Sequence, residues 1–118
     1  MSIKIVSRGE VWLVNFDPTI GSEINKKRPA VIVSSDALGI LPVYVVVPIT
    51  DWKERYAKNF WHIKIVNDAA NGLDKMSAVD VLQIRSVSID RLTKKIGKVS
   101  STMMEEIVAA IAAVIEYQ

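Results

Sequence analysis

Arg28-Pro29-Ala30-Val31-Ile32-Val33-Ser34 and, after a short connection, Val43-Tyr44-Val45-Val46-Val47-Pro48-Ile49-Thr50 decide how this chain folds. Both are runs of branched aliphatic side chains of strand length, bounded by Pro, Ser, Asp and Gly. Val and Ile lose rotamer freedom in a helix and pack well on a pleated surface, so both runs predict strands. Neither alternates with polar residues, so each is expected to be buried on both faces.

Working outward, Arg8 to Phe16 alternates, with Val11 and Leu13 opposed to Trp12, Val14 and Phe16. It predicts another strand, ended by the turn residues from Asp17 to Ser22. Phe60 to Val66 alternates cleanly, Ser77 to Leu82 reads as a short strand, and Gln83 to Val87 continues it or bends into another. Lys95 to Val99 reads as a last strand. Asp36 to Leu41 and the charged stretch Trp52 to Asn59 read as loops, Asn67 to Gly72 as a turn, and Ile89 to Leu92 as one helical turn. Only Met103 to Tyr117 predicts a full helix, with Thr102 and Glu105 at capping-box spacing. That helix is apolar almost all round, so its second side is expected to meet another subunit. Short strands followed by one helix predict a mainly β chain with α: a small, strongly bent antiparallel β-barrel with a C-terminal helix. With no repeat or linker in 118 residues, residues 1–118 read as a single domain.

Composition narrows the function classes. There are no cysteines and one histidine, so disulfide scaffolds, thiolate sites and multi-histidine metal sites are excluded. No cofactor or metal is expected. No apolar run approaches the roughly 20 residues of a membrane span, and the start lacks the apolar core of a signal peptide. The expected location is the cytoplasm, where a cysteine-free chain folds without special provision. A net charge of +2 permits a nucleic-acid partner without demanding one.

Two loop clusters could carry chemistry. Gly21 to Pro29 sets Lys26, Lys27 and Arg28 beside Ser22, Glu23 and Asn25. Arg offers a planar fork of donors to phosphate and Lys a point charge, although such loops are often only solvated connections. Pro48 to Lys53 ends an apolar strand in Thr50, Asp51 and Trp52. There Thr50 could donate to a phosphate and Trp52 stack on a base, or the segment could simply cap the strand. His62 falls with Lys64 on the more polar face of its strand, a poor place for a catalytic imidazole.

The ordered set Arg8-Gly9-Glu10-Val11-Trp12-Leu13-Val14, Asp17-Pro18, Gly21-Ser22-Glu23 and Arg28-Pro29-Ala30-Val31-Ile32-Val33 resembles the opening of the MazF/PemK/Kid toxins. Val46-Val47-Pro48-Ile49-Thr50, Gln83-Ile84-Arg85-Ser86-Val87, Arg91-Leu92 and Ile96-Gly97-Lys98-Val99 resemble their later motifs. The resemblance implies an SH3-like barrel that forms a homodimer and is paired with a cognate antitoxin protein. It also implies a metal-independent endoribonuclease, an mRNA interferase. Such an enzyme cuts single-stranded RNA to 2′,3′-cyclic phosphate and 5′-hydroxyl ends.

By position, Arg28 and Thr50 match the family's catalytic arginine and threonine. Ser22, Asn25, Lys26, Lys27, Asp51, Trp52, Lys53, Arg55 and Gln83 fall in the segments expected to hold RNA. The carboxylate of the reaction is open: Leu82 and Asp80 replace an acid and an arginine of some relatives, and Ser22 replaces a histidine of Kid. Glu23 and Asp80 are the carboxylates available. Two other functions compete. One is a gyrase-directed toxin like CcdB, which shares this fold but acts through a tryptophan-bearing C-terminus, where this chain has Glu116-Tyr117-Gln118. The other is a barrel that binds RNA without cutting it.

Overall fold

The computed structural model describes residues 4–117. The strands are β1 (Glu10–Asn15), β2 (Lys27–Ile32), β3 (Val43–Asp51), β4 (His62–Ile65), β5 (Ser77–Asp80), β6 (Arg85–Ser88) and β7 (Leu92–Lys98), followed by the helix α1 (Ser101–Val114). All pair antiparallel, in the order β4-β5-β3-β2-β1-β7, with β6 on β3 beside β5. This is the mainly antiparallel β architecture with a terminal helix that the strand pattern predicts. β4 and β7 end the path without pairing to each other, so hydrogen bonds do not close the curl.

The apolar runs are buried on both faces because the sheet carries a core on each side. Val11, Val31, Val47, Ile49, Ile65 and Val79 point to one side, where Met104, Ile107 and Ala110 of α1 cover them. Trp12, Val14, Ala30, Ile32 and Val46 point to the other, with Phe16, Val87 and Leu92. Successive residues of one strand thus serve different cores, as a two-residue period requires. Ile107 is fully buried, which contributes about 2–3 kcal/mol.

Several boundaries differ from the expectation. β2 begins at Lys27, ahead of Pro29, and β7 begins at Leu92 because β1 pairs with it from Val14 to Glu10. The stretch read as a loop from Trp52 holds a short 3-10 helix, Glu54–Lys58. β5 stops at Asp80, whose side chain caps a 3-10 turn, Val81–Gln83. The helix is capped by Ser100, not Thr102: the Ser100 hydroxyl accepts from Met103 N–H at 3.0 Å. Val99 N–H donates to Gly9 carbonyl at 2.9 Å, so the chain leaves the sheet there and the helix starts at once. The helix stops at Val114, before Tyr117. Glu116 is left-handed (φ 57), and the Glu116 and Tyr117 N–H groups donate back to Ala113 and Ala112. This is a Schellman stop without the glycine that would announce it.

Glu10 opens β1 as a mostly buried carboxylate. It accepts from the Ser7 N–H (2.9 Å) and the Trp12 indole (3.0 Å) and faces Lys95 Nζ at 2.9 Å. Burial pushes its carboxyl up, but Lys95, Ser7 and Trp12 together outweigh that and hold it below the ordinary range. Because folding lowers this pKa, its stabilisation is complete above the unfolded carboxyl range and fades as pH falls through the folded value. Glu10→Ala leaves the Trp12 and Ser7 donors bare and should cost about 2–3 kcal/mol at neutral pH. Glu10→Gln should flatten the acid loss of stability. Urea unfolding of parent and Glu10→Gln from about pH 3 to 7 checks this; parallel curves would refute it.

Candidate active site

The β2–β3 register pairs Ala30 with Pro48, Val31 with Val47 and Ile32 with Val46. The pairing stops there; continued two residues along both strands, the same register would run Arg28 toward Thr50. On the other edge of β3, Thr50 pairs with Ala78, and Ala78 pairs with Lys64. A paired row across three strands therefore reads Thr50, Ala78, Lys64, with Arg28 in line beyond the end of the β2–β3 pairing. By alternation these side chains share a face with Ala30, Pro48, Asp80 and His62, the face turned away from α1.

Arg28 is half-buried and spends only its Nε, which donates to the Asn25 carbonyl at 3.3 Å. Its terminal nitrogens carry no hydrogen bond within the described residues. The ion pairs among those residues are His62–Asp80, Lys75–Asp51 and Lys95–Glu10. Arg28, Lys26, Lys27, Lys53, Arg55 and Arg85 are thus left as unneutralised cations, a field suited to a polyanion.

The loop before Arg28 is tied down from two sides. Lys26 is left-handed (φ 64); its N–H donates to Asp17 Oδ1 at 3.1 Å, and its carbonyl accepts from Phe16 N–H at 2.9 Å. The Gln83 side chain reaches across from the turn between β5 and β6. Its Oε1 accepts from Ile24 N–H and its Nε2 donates to the Ser22 carbonyl, each at 3.2 Å. Between loop and turn lies a cleft of about 410 Å³ lined by Glu23, Ile24, Pro48, Leu82, Gln83 and Arg85, among others. The Arg85 guanidinium lies 5.7 Å over the Phe16 ring, which fixes its position at the rim.

A cluster of aromatic rings occupies the segment that follows β3. Trp52 donates its indole N–H to Glu54 at 3.0 Å and meets Tyr56 edge-on, with centroids 6.1 Å apart. Lys64 Nζ sits 5.1 Å from the Trp52 ring and Arg55 5.4 Å from Tyr56. Rings interleaved with cations suit the bases and phosphates of a single strand.

Residues 7–115 match the family model for the PemK-like, MazF-like toxin of type II toxin–antitoxin systems. The chain belongs to that toxin family. It is 34% identical over 113 residues to the endoribonuclease MazF9 of Mycobacterium tuberculosis, covering 91% of this chain and 93% of that one. It is 32% identical over 109 residues to the endoribonuclease EndoA of Bacillus subtilis, covering 91% of each. In fold it is similar to MazF from Deinococcus radiodurans, with a TM-score of 0.81, 16% identity and coverage of 97% of this chain and 99% of that one. It is similar also to a mycobacterial endoribonuclease in complex with its cognate antitoxin, with a TM-score of 0.75, 18% identity and coverage of 97% and 98%.

Within this toxin the carboxylates seen in sequence separate. Glu23 lines the cleft and uses Oε1 to accept from Ile20 N–H at 2.6 Å. Asp80 lies away from the lining, buried between His62 and the turn it caps. Burial raises the Asp80 carboxyl above its ordinary range, opposed by His62 and by the N–H groups of Leu82 and Gln83. Asp51 is held by Lys75 at 3.2 Å, so its charge is already answered. The open polar face expected for His62 is instead covered by Tyr56, which stacks on the ring at 3.8 Å between centroids.

Sequence reasoning passed over Arg85, Lys64 and Tyr56. Arg85 sits within the quoted motif Gln83 to Val87, and Tyr56 among the cations of the 52–59 segment, so both carried a local signal. The place of Lys64 depends on the pairing of β4 with β5.

Proposed function

We propose that this toxin is an endoribonuclease that cleaves single-stranded RNA, mRNA included, without a metal. It acts in the cytoplasm as a homodimer held in check by a cognate antitoxin, with residues 1–118 forming one toxin domain. The observation that carries the reading is the β2–β3 register, which supports it by running the arginine and threonine of the family motif toward each other on one face.

The chemistry follows from those two groups. The ribose 2′-hydroxyl loses its proton and attacks the adjacent phosphorus. The bond to the 5′-oxygen breaks, and that oxygen takes a proton. The products are a 2′,3′-cyclic phosphate and a 5′-hydroxyl. Arg28 presents its terminal nitrogens to the phosphoryl oxygens, where negative charge grows. Thr50 donates to one of those oxygens and fixes its direction. Arg28 is not the base, since a guanidinium stays protonated. Glu23, on the cleft wall, is the carboxylate available to take the 2′-proton. Trp52, Lys53 and Arg55 hold the flanking nucleotides, with Ser22, Asn25, Lys26, Lys27, Asp51 and Gln83 along the loop side.

Other features support the remaining parts. The outer side of α1 leaves Val108 and Ile115 exposed, an apolar surface suited to a second copy. The antitoxin-bound mycobacterial relative supports the antitoxin.

The test is incubation of purified toxin with a long single-stranded RNA in EDTA, followed by end-group analysis. Discrete fragments with cyclic-phosphate and 5′-hydroxyl ends are expected, with Thr50→Ala slower by on the order of 100-fold. Intact RNA, or cleavage that EDTA abolishes, would sink the proposal.

A further inference from the structure

His62 on β4 stands directly across from Asp80 on β5, and Nε2 lies 3.4 Å from Oδ2. Both side chains are nearly closed off, at 8% and 12% exposure. The imidazole lies flat against Tyr56, with planes 9° apart, and its Nδ1 meets the Asn59 side-chain nitrogen at 3.1 Å. Each ring nitrogen thus has a polar partner, Nδ1 the Asn59 amide and Nε2 the Asp80 carboxylate. Both ring nitrogens are therefore engaged, and neither is spare for proton transfer.

The other Asp80 oxygen, Oδ1, accepts from Leu82 N–H at 3.2 Å and so caps the turn that carries Gln83. Gln83 in turn holds the Ser22 carbonyl and the Ile24 N–H. A continuous series of contacts thus runs from the Tyr56 ring through His62, Asp80 and Gln83 to the loop before Arg28. Its two ends are the aromatic platform and the catalytic arginine.

We propose that Asp80 and His62 are positioning residues for RNA cleavage, tying the Trp52–Tyr56 platform to the Gln83 turn so that a stacked base delivers its phosphate in line with Arg28. This rests on the ribonuclease reading above. Without the tie the strand still binds, but its phosphate is misplaced. An error on the order of 1 Å in such a geometry lowers the rate by about 100-fold. The loss therefore falls on kcat more than on KM.

The test uses the whole toxin and a short fluorescent RNA that it cuts. Asp80→Ala should lower kcat about 10- to 100-fold with KM within about threefold. In a Gln83→Ala background Asp80→Ala should add little, because it acts through that residue. Hydrogen exchange gives a second readout independent of catalysis: Ile24 N–H should lose protection in Asp80→Ala while Val31, in the core strand, keeps it. If Asp80→Ala does not fold, His62→Ala cuts the same tie from β4, and His62→Gln, whose amide can still donate to Asp80, should recover most of the lost rate. A parent rate in Asp80→Ala with Ile24 still protected, or losses that add fully with Gln83→Ala, would overturn the proposal and leave the ribonuclease reading intact. A parent toxin that cuts no RNA would overturn that reading and the catalytic role proposed here, while the Ile24 exchange would still decide whether the tie exists.

Discussion

Arg28→Ala should abolish detectable RNA cleavage, a loss of at least 100- to 1,000-fold, or about 3–4 kcal/mol of transition-state stabilisation. In this reaction the substrate supplies its own nucleophile, so the enzyme's contribution is geometry and charge. The β2–β3 register runs Arg28 toward Thr50, and its terminal nitrogens carry no hydrogen bond among the described residues. Arg28→Lys should recover little, because a point charge cannot grip two phosphoryl oxygens from one plane. The fold should barely notice either change. Arg28 makes one hydrogen bond among the described residues, to the Asn25 carbonyl, so the cost to stability should stay below about 1 kcal/mol. Cleavage rates of a labelled RNA beside thermal melts of the same samples measure both. A variant within about fivefold of the parent rate would move the chemistry away from this face.

The second large effect concerns folding. Gly97→Ala should leave little or no folded protein. A Cβ at Gly97 would lie 2.3 Å from the Asn71 carbonyl carbon, 2.4 Å from its oxygen and 2.5 Å from the Ala70 oxygen. All three are backbone atoms, so no side chain can rotate away. The contact is reciprocal: a Cβ at Gly72, where φ is +69°, would lie 1.9 Å from the Ile96 oxygen. The 67–72 turn therefore packs backbone to backbone on β7, and the Lys98 N–H seals it with a 2.8 Å bond to Ala70. Asn71, only 3% exposed, stiffens the turn through bonds to Asp68, Leu73 and Val66, so the turn cannot yield. A loss of about 4 kcal/mol or more is expected, beyond ordinary overpacking because the clash is with main chain. Soluble yield and the denaturation midpoint of Gly97→Ala measure it; a shift of under about 1 kcal/mol would show that β7 and the turn can part.

Both predictions depend on how far each feature could be read from the chain. The strands were legible because β-branched residues and two-residue alternation are local signals. The same runs announced burial on both faces, which the two cores explain. Arg28, Thr50 and the cationic loop were legible as a motif. Their mutual placement was not, because it depends on strand register.

Other features were misread for the same reason. Thr102 and Glu105 carry capping-box spacing, but Ser100 caps the helix because Val99 is pinned to Gly9, far away along the chain. Glu116 stops the helix in a conformation that glycine usually signals. Glu23 and Asp80 were equivalent as carboxylates in sequence; only tertiary structure puts one on the cleft and buries the other against His62.

By itself the sequence determined the element types, the presence of two buried faces, the cation-rich loop and the toxin family. These are properties of composition, periodicity and motif order, which act within a few residues or accumulate along the whole chain. Tertiary structure alone decided that Ala30 pairs with Pro48, that Gln83 closes on Ile24 and Ser22, and that His62 stands against Asp80. Each of those is one contact between residues distant in sequence, and its energy depends on a register and a burial that no local pattern encodes.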